Sequence, residues 1–537
     1  MSPPTTASEI VKNRFLSFLI WQSIQSSAIF IVTKVFLLSP FTPKPFIPSL
    51  FGCFCLLCFL LSMLLFSISI QIIATPQFCR PASPPELALA ILRLVFVGSS
   101  SLTNDFIRRA RASLSIALLV IVSVLSGFVA VVSIAGSTYS APFGVLIATL
   151  GPRGVVAGLV YGFYCVFRQS WVLIFPIVQR PPFFSYKMGL LLAVRRALKL
   201  SVASFMFSAS LLILMPNQHQ SPVAGKYFSK HLIYYLGSFA VILSWELILH
   251  LHKVLHTKRF MFAPSKGSAA VETNPSESLV IALEDSYPRS LQQYLAYLDL
   301  SMVCGSNIEP WRRVAFFEDT GETYKRAVAA CLRPLEQFAS KLAEGLTSST
   351  DNINKLSHQL SSPHDISQSS QILDSFSDFQ LYSWCAQAVA SLEVRSHKED
   401  RFGVAQLSGS HAMVLSTLLS CLLAVETYMG KKINLQSPNH ILGPAGIKWA
   451  TNSTARREIA TAMNKKRGSS SHSKSYALAD VLKISIYSIV SEFFEEMHAS
   501  AKMGLLEKDW MNNSKPIYGS SELLVQKLHF FLNFQAS

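Results

Sequence analysis

The residues best suited to chemistry in this chain lie in or beside its apolar runs. His252 and His256 stand four apart, the spacing that puts two imidazoles on one helix face for a metal ion, yet no third ligand is evident nearby. Glu246 is the one acidic residue inside any apolar span. With Arg153 or Arg168 as partner it would suit proton or ion coupling. Within two turns of His250 and Lys253, however, it reads first as part of a membrane-interface collar: Glu246, His252, Lys253, His256, Lys258 and Arg259. Cys53, Cys55 and Cys58 sit at membrane depth, where small apolar packing is the default. Gly154, Gly158 and Gly162 form a four-residue stripe that lets helix backbones approach, so these three are expected to pack helices rather than line a pore. The chain has no phosphate-binding glycine loop, His-Glu-x-x-His, Gly-x-Ser-x-Gly, kinase set or paired-cysteine metal site. No catalytic residue, cofactor, metal or small-molecule substrate is therefore expected.

The elements that must carry these residues follow from composition. Half of the 537 residues are apolar, 15% are charged, and the mean hydropathy is +0.36, the profile of a polytopic membrane protein with an extension outside the bilayer. The net charge of +16 sits almost wholly before residue 256: that part holds 19 Lys/Arg against 4 Asp/Glu, the remainder 28 against 27. Basic loops between apolar segments follow the positive-inside rule, whereas a nucleic-acid binder would gather its charge on one soluble face. Direct nucleic-acid binding is not expected.

Hydropathy predicts a polar tail over 1–14, a six-span region over 15–260, a linker over 261–278 and an all-α soluble domain over 279–537. The spans are expected near Phe15–Leu38, Ile47–Ala74, Leu114–Ala135, Phe143–Phe167 or Gly154–Val178, Leu200–Met215 (unless it begins near Met188) and His231–Phe260. Pro152 and Pro176 favour a helix-end position for the fourth-span arginines. Residues 85–98 are expected on the bilayer surface, and RPPFFSYKMGLLLAVRRALKL as a basic connection. Six crossings put both termini on the side bearing sixteen loop Lys/Arg against three, facing the cytosol or pore. The sequons at Asn452 and Asn512 are then expected to stay unglycosylated.

In the second half, helices are expected at about 279–303, 321–347, 372–398, 409–430, 446–466, 475–502 and 518–534, with no lasting period-two pattern. HAMVLSTLLSCLLAVETYM and YALADVLKISIYSIVSEFF are interrupted by charge at the length of core helices. The distinctive stretch is NIEPWRRVAFFEDTGETYKRAVAACLRPLEQF, Asn307 to Phe338. Pro310 and Trp311 open a short helix carrying Arg312, Arg313 and Phe316. Asp319-Thr320-Gly321 is turn chemistry, and Tyr324, Val328, Cys331, Leu332, Leu335 and Phe338 make a helical apolar stripe.

This segment, after six spans and a basic collar, resembles the nuclear-division-cycle transmembrane nucleoporin family, its plant-type members especially. The resemblance implies a structural, non-enzymatic transmembrane component of the nuclear pore complex in the nuclear envelope, whose pores carry mRNA and protein transport. It would anchor the scaffold to the pore membrane and assist pore assembly. The partners it implies are the lipid bilayer, other pore-membrane proteins, inner-ring scaffold nucleoporins and aladin. Phe-Gly pairs are isolated (Phe51-Gly52, Phe143-Gly144, Phe402-Gly403), so no contribution to the permeability barrier is expected. The alternative is a transporter or channel with a cytosolic helical regulatory domain, which should show an internal repeat; none is visible.

Overall fold

The computed structural model describes residues 7–41, 50–83, 85–88, 104–136, 143–214, 224–264, 274–353, 375–436, 470–511 and 516–536. Among them the fold is all-α. Its β structure is one isolated parallel bridge, Thr75 to Val172. The chain divides into two units, Thr5–Lys258 and Arg259–Ser537.

Among the described residues the long helices of the N-terminal unit are α1 (Ala7–Val32, ending in a π turn Thr33–Leu37), α2 (Leu50–Ile73), α3 (Asn104–Gly136), α4 (Phe143–Arg168), α5 (Pro182–Leu214) and α6 (Ala224–His256). They surround an aromatic hub. Trp245 of α6 stacks on Tyr161 of α4 at 4.8 Å and meets Phe66 of α2 at 5.6 Å. Its indole N–H donates to Ser126 of α3 at 3.3 Å, and that hydroxyl donates to the Ser62 carbonyl of α2 at 2.9 Å. A buried indole needs such an acceptor, so four helices meet at one side chain.

Several expectations change here. The polar tail is shorter than expected, because helix begins at Ala7 and takes in Lys12 and Arg14. The fourth helix follows the Phe143 placement. Arg168 lies in its last turn, while Arg153 lies within the helix rather than at its end, 5.0 Å from the face of Tyr234. The stretch expected as a second basic connection is helical: α5 runs 33 residues, roughly 50 Å at 1.5 Å per residue. It packs antiparallel along α6, with Tyr186 on His250, Arg196 near Glu246 and Phe205 on Tyr234. Residues 89–98 of the expected surface segment lie outside the described residues.

Among the described residues six helices are long and apolar enough to cross a membrane: Glu9–Leu37, Leu50–Ile73, Phe106–Ala135, Gly144–Arg168, His231–His256 and Ser410–Gly430. The first five fall in α1–α4 and α6. Helix α5 is not among them; its charges Lys187, Arg195, Arg196 and Lys199 all precede the apolar stretch that begins at Leu200. The Ser410–Gly430 segment belongs to the C-terminal unit and is core there. Its Cys421 thiol bonds the Leu335 carbonyl, and its Glu426 pairs with Lys483 and Lys527.

The C-terminal unit comprises α7 (Glu277–Asp285), α8 (Leu291–Gly305), α9 (Pro310–Val314), α10 (Glu322–Ile353), α11 (Phe379–Glu399), α12 (Val404–Leu407), α13 (Ser410–Gln436), α14 (Ser470–Glu492), α15 (Phe494–Lys502), α16 (Leu506–Trp510) and α17 (Ser521–Ala536). The stripe expected on α10 is its core face: Tyr324, Val328, Cys331, Leu332, Leu335 and Phe338 are all buried. The helix expected over 279–303 is two helices. Pro288 cannot continue the first, Arg289 turns at φ +66°, and the Ser290 hydroxyl caps the second by accepting from Gln293 N–H. The helix expected over 475–502 likewise breaks at Phe493. The helix expected at 446–466 lies outside the described residues.

Candidate functional site: an ion-pair clamp on the chain beyond the last span

Four charged side chains gather where the chain enters the C-terminal unit. Arg259, three residues past the end of α6, donates to Asp299 Oδ1 at 2.7 Å and to Glu309 Oε2 at 2.9 Å. Arg312 reaches the same two carboxylates from α9, at 2.7 Å to Asp299 Oδ2 and 2.8 Å to Glu309 Oε2. Two positive and two negative charges thus close a ring, with Asp299 and Arg312 fully buried. The ring grips the main chain as well: Phe262 N–H donates to Asp299 at 3.0 Å, and Arg312 donates to the Phe262 carbonyl at 3.1 Å. The Arg312 carbonyl in turn accepts from Ser276 at 2.5 Å.

Local sequence explains the arrangement. Pro310 starts α9, where a missing N–H costs nothing, and Glu309 precedes it. Arg312 and Arg313, adjacent on a one-turn helix, face different neighbours. Arg313 makes a bidentate pair with Glu399 at the end of α11, at 2.5 and 2.8 Å, and donates to the Ser306 carbonyl at 2.7 Å. Phe316 is buried beneath them. Gly321 turns at φ +67°, and a Cβ there would stand 2.8 Å from Val404, so both conformation and space call for glycine. Leu332 and Leu335 belong to the α10 core, while Trp311 stays 44% exposed.

Electrostatics agree with the geometry. Burial opposes the Arg312 charge, but hydrogen bonds and attraction from Asp299, then Glu309, outweigh it and raise its pKa. Burial would raise the Glu309 pKa; the Arg312 and Arg259 guanidiniums instead hold it below the ordinary glutamate range. A second buried cluster lies deeper. Tyr324 and Ser410 donate to Glu393 at 2.8 and 3.0 Å, and His411 pairs with the same carboxylate. Burial lowers the His411 pKa, yet Glu393 more than offsets this and raises it.

The collar residues separate into distinct places. Arg259 is a clamp residue, and Lys258 is exposed. Glu246, His252 and His256 of the expected collar pack inside the N-terminal unit, at 4%, 1% and 1% exposure. The cation at ion-pair distance from Glu246 is Arg196, at 3.8 Å, with Arg168 and Lys253 acting on it from farther off, and Tyr161 donates to it at 3.3 Å. The Arg196 position on the unexpectedly long α5 accounts for the difference from the expected pairing. His252 bonds Gln71 at 2.8 Å and stacks on His256 at 4.0 Å. Among the described residues no three His, Cys, Asp or Glu side chains gather as metal ligands. Lys253 and His256 fall in the last turn of α6.

In the glycine stripe, a Cβ on Gly154 would meet the Gly127 carbonyl at 2.6 Å, and one on Gly158 the Ser123 carbonyl at 2.3 Å. One on Gly162 would find ordinary contact at 3.4 Å. Helices α3 and α4 therefore touch backbone to backbone at two of the three positions.

Sequence reasoning missed several participants, Glu309, Glu399 and Arg196 among them. Asp299 was visible as the lone acid in the apolar run YLAYLDLSMV. Gly127 belongs to a small-residue set with Ser123 and Ser126. Arg14 caps the chain leaving α6, donating to the carbonyls of Leu255, His256 and Lys258 at 3.1, 2.8 and 2.7 Å. No spacing pattern links Arg14 to a partner some 240 residues away.

Fold and site together define an all-α polytopic membrane protein whose chain beyond the last span is held by a buried ion-pair clamp. Residues 354–499 match the family model described as nucleoporin protein Ndc1-Nup, so over that segment the chain is similar to Ndc1-type nucleoporins. The matched segment includes α11 and α13 but not Asn307–Phe338, the stretch on which the resemblance was drawn. Arg313 joins the two through Glu399. No curated protein matches the chain.

Proposed function

We propose that this protein is a structural transmembrane nucleoporin: its spans hold the pore membrane, and its C-terminal helical unit holds the pore scaffold and supports pore assembly. The observation that carries this reading is the clamp, because a chain gripped at Phe262 by Asp299 and Arg312 can transmit position from a membrane span to a folded unit. The family match in the C-terminal unit supports it independently. In this reading α5 completes six crossings beside α6, both termini face the cytosol or pore, and the domain limits are those expected from hydropathy except for the tail, which ends where α1 begins at Ala7. Inner-ring scaffold nucleoporins, other pore-membrane proteins and aladin are the proposed partners. The protein performs no catalytic step.

A transporter would begin from Glu246, but that carboxylate is packed between Tyr161 and Arg196 inside the helix bundle. The test is tagged localisation with scaffold capture. The full chain should mark a punctate nuclear rim and capture inner-ring components, and deletion of residues 279–537 should keep membrane insertion but lose capture. Residence in the plasma membrane or vacuole would refute the reading.

A further inference from the structure

We infer that the short segment Gly305–Ala315 is a second membrane contact, laid on the bilayer interface by its exposed apolar side chains. Its charges and apolar groups are inverted relative to an ordinary surface helix. Glu309, Arg312 and Arg313, its only charged residues, are turned inward and paired, at 9%, 0% and 2% exposure. Ile308, Trp311 and Val314 are turned outward at 77%, 44% and 44%, with Pro310 exposed between them. An exposed face of tryptophan and aliphatic groups without charge calls for an apolar cover.

Chain length identifies the cover. Phe262 lies six residues past the end of α6, so it stays within roughly 20 Å of the end of that span at full extension. Arg312 is bonded to Phe262, which keeps α9 within one arginine side chain of that radius. Exposed Met261 adds a further apolar group on the tether itself. The headgroup zone is roughly 7 Å deep on each side of the hydrocarbon, and tryptophan is the side chain that settles there, ring toward the acyl chains and N–H toward water. A lipid interface is therefore the apolar surface within reach of every copy of the chain. This inference needs only that α6 crosses a bilayer and is independent of the pore reading.

The test uses the full chain in lipid nanodiscs, with benzoylphenylalanine replacing Ile308, Trp311 or Val314 one at a time. These positions are exposed, so the ring of ion pairs beneath them is kept. Illumination should add the mass of one phospholipid at each position, and none when the probe replaces Met503, which is 74% exposed elsewhere in the unit. Absence of lipid adducts at all three positions would overturn the inference. So would covalent dimers in their place, which would make the face a contact between copies, or equal lipid adducts at Met503.

Discussion

Arg312 is a buried guanidinium whose two carboxylate partners are shared with Arg259. Replacing it by an apolar side chain removes one member of a balanced set and leaves two carboxylates, one of them the fully buried Asp299, to share Arg259 alone. Losses of about 3–5 kcal/mol attend the breaking of such pairs. Arg312→Met should therefore lower the thermal midpoint of the C-terminal unit sharply, and Arg312→Met with Asp299→Asn should recover part of the loss. Equal midpoints for wild type and Arg312→Met would mean that the ring contributes nothing. Protonation supplies a second check. Glu309 has a depressed folded pKa, so its contribution is complete above the ordinary value of 4.5 and is lost as pH falls through the folded value. His411 has a raised folded pKa, so its contribution is complete below the ordinary 6.5 and is lost as pH rises through the folded value. Stability of the C-terminal unit should fall on both sides of a plateau, and His411→Gln should flatten the alkaline limb alone. Persistence of that limb in the variant would assign it to another group.

Helices α3 and α4 illustrate what a sequence discloses about packing and what it withholds. The Gly154-Gly158-Gly162 stripe was legible because four-residue spacing puts the three on one face. Their unequal roles were not, since only the partner backbone shows which two are pressed against it. Gly158→Leu should disrupt the α3–α4 pair, because its Cβ would overlap the Ser123 carbonyl; overpacking of this kind costs about 1–3 kcal/mol or more. Gly144→Ala, where a Cβ meets nothing within 4 Å, should be neutral. Thermal aggregation of purified protein in detergent reads both, and equal midpoints for the two variants would defeat the argument. The C-terminal core was similarly legible as the α10 stripe, while the clamp was not. Arg312 and Arg313 were seen as a pair, and Glu309 stands only three residues before Arg312, but Asp299 and Glu399 are brought near by the fold alone. Charge-rich α5 was legible only in part, as Leu200–Met215 with a start near Met188 left open: hydropathy discounts Arg195, Arg196 and Lys199, whereas Glu246 on α6 gives one of them a partner inside the bundle.

At the scale of the whole molecule, the proposed cytosolic termini rest on charge: sixteen Lys/Arg flank the spans on the N-terminal side against three opposite. Many of the sixteen, Arg14, Arg109 and Lys187 among them, lie on helix ends rather than in loops. Native protein should accordingly show no glycosidase-sensitive mass shift despite the sequons at Asn452 and Asn512; such a shift would reverse the orientation. The clamp has one more consequence, a mechanical one. Arg259 lies only three residues beyond the last membrane helix, and its partners come from α8 and from the residue before α9. Tension along the chain is thus shared by several short charged contacts at once instead of being taken one after another. A fastening loaded in this way yields abruptly at a threshold, as a rivet does. Below that threshold, strain in a bending membrane would pass into the helical unit with little slack.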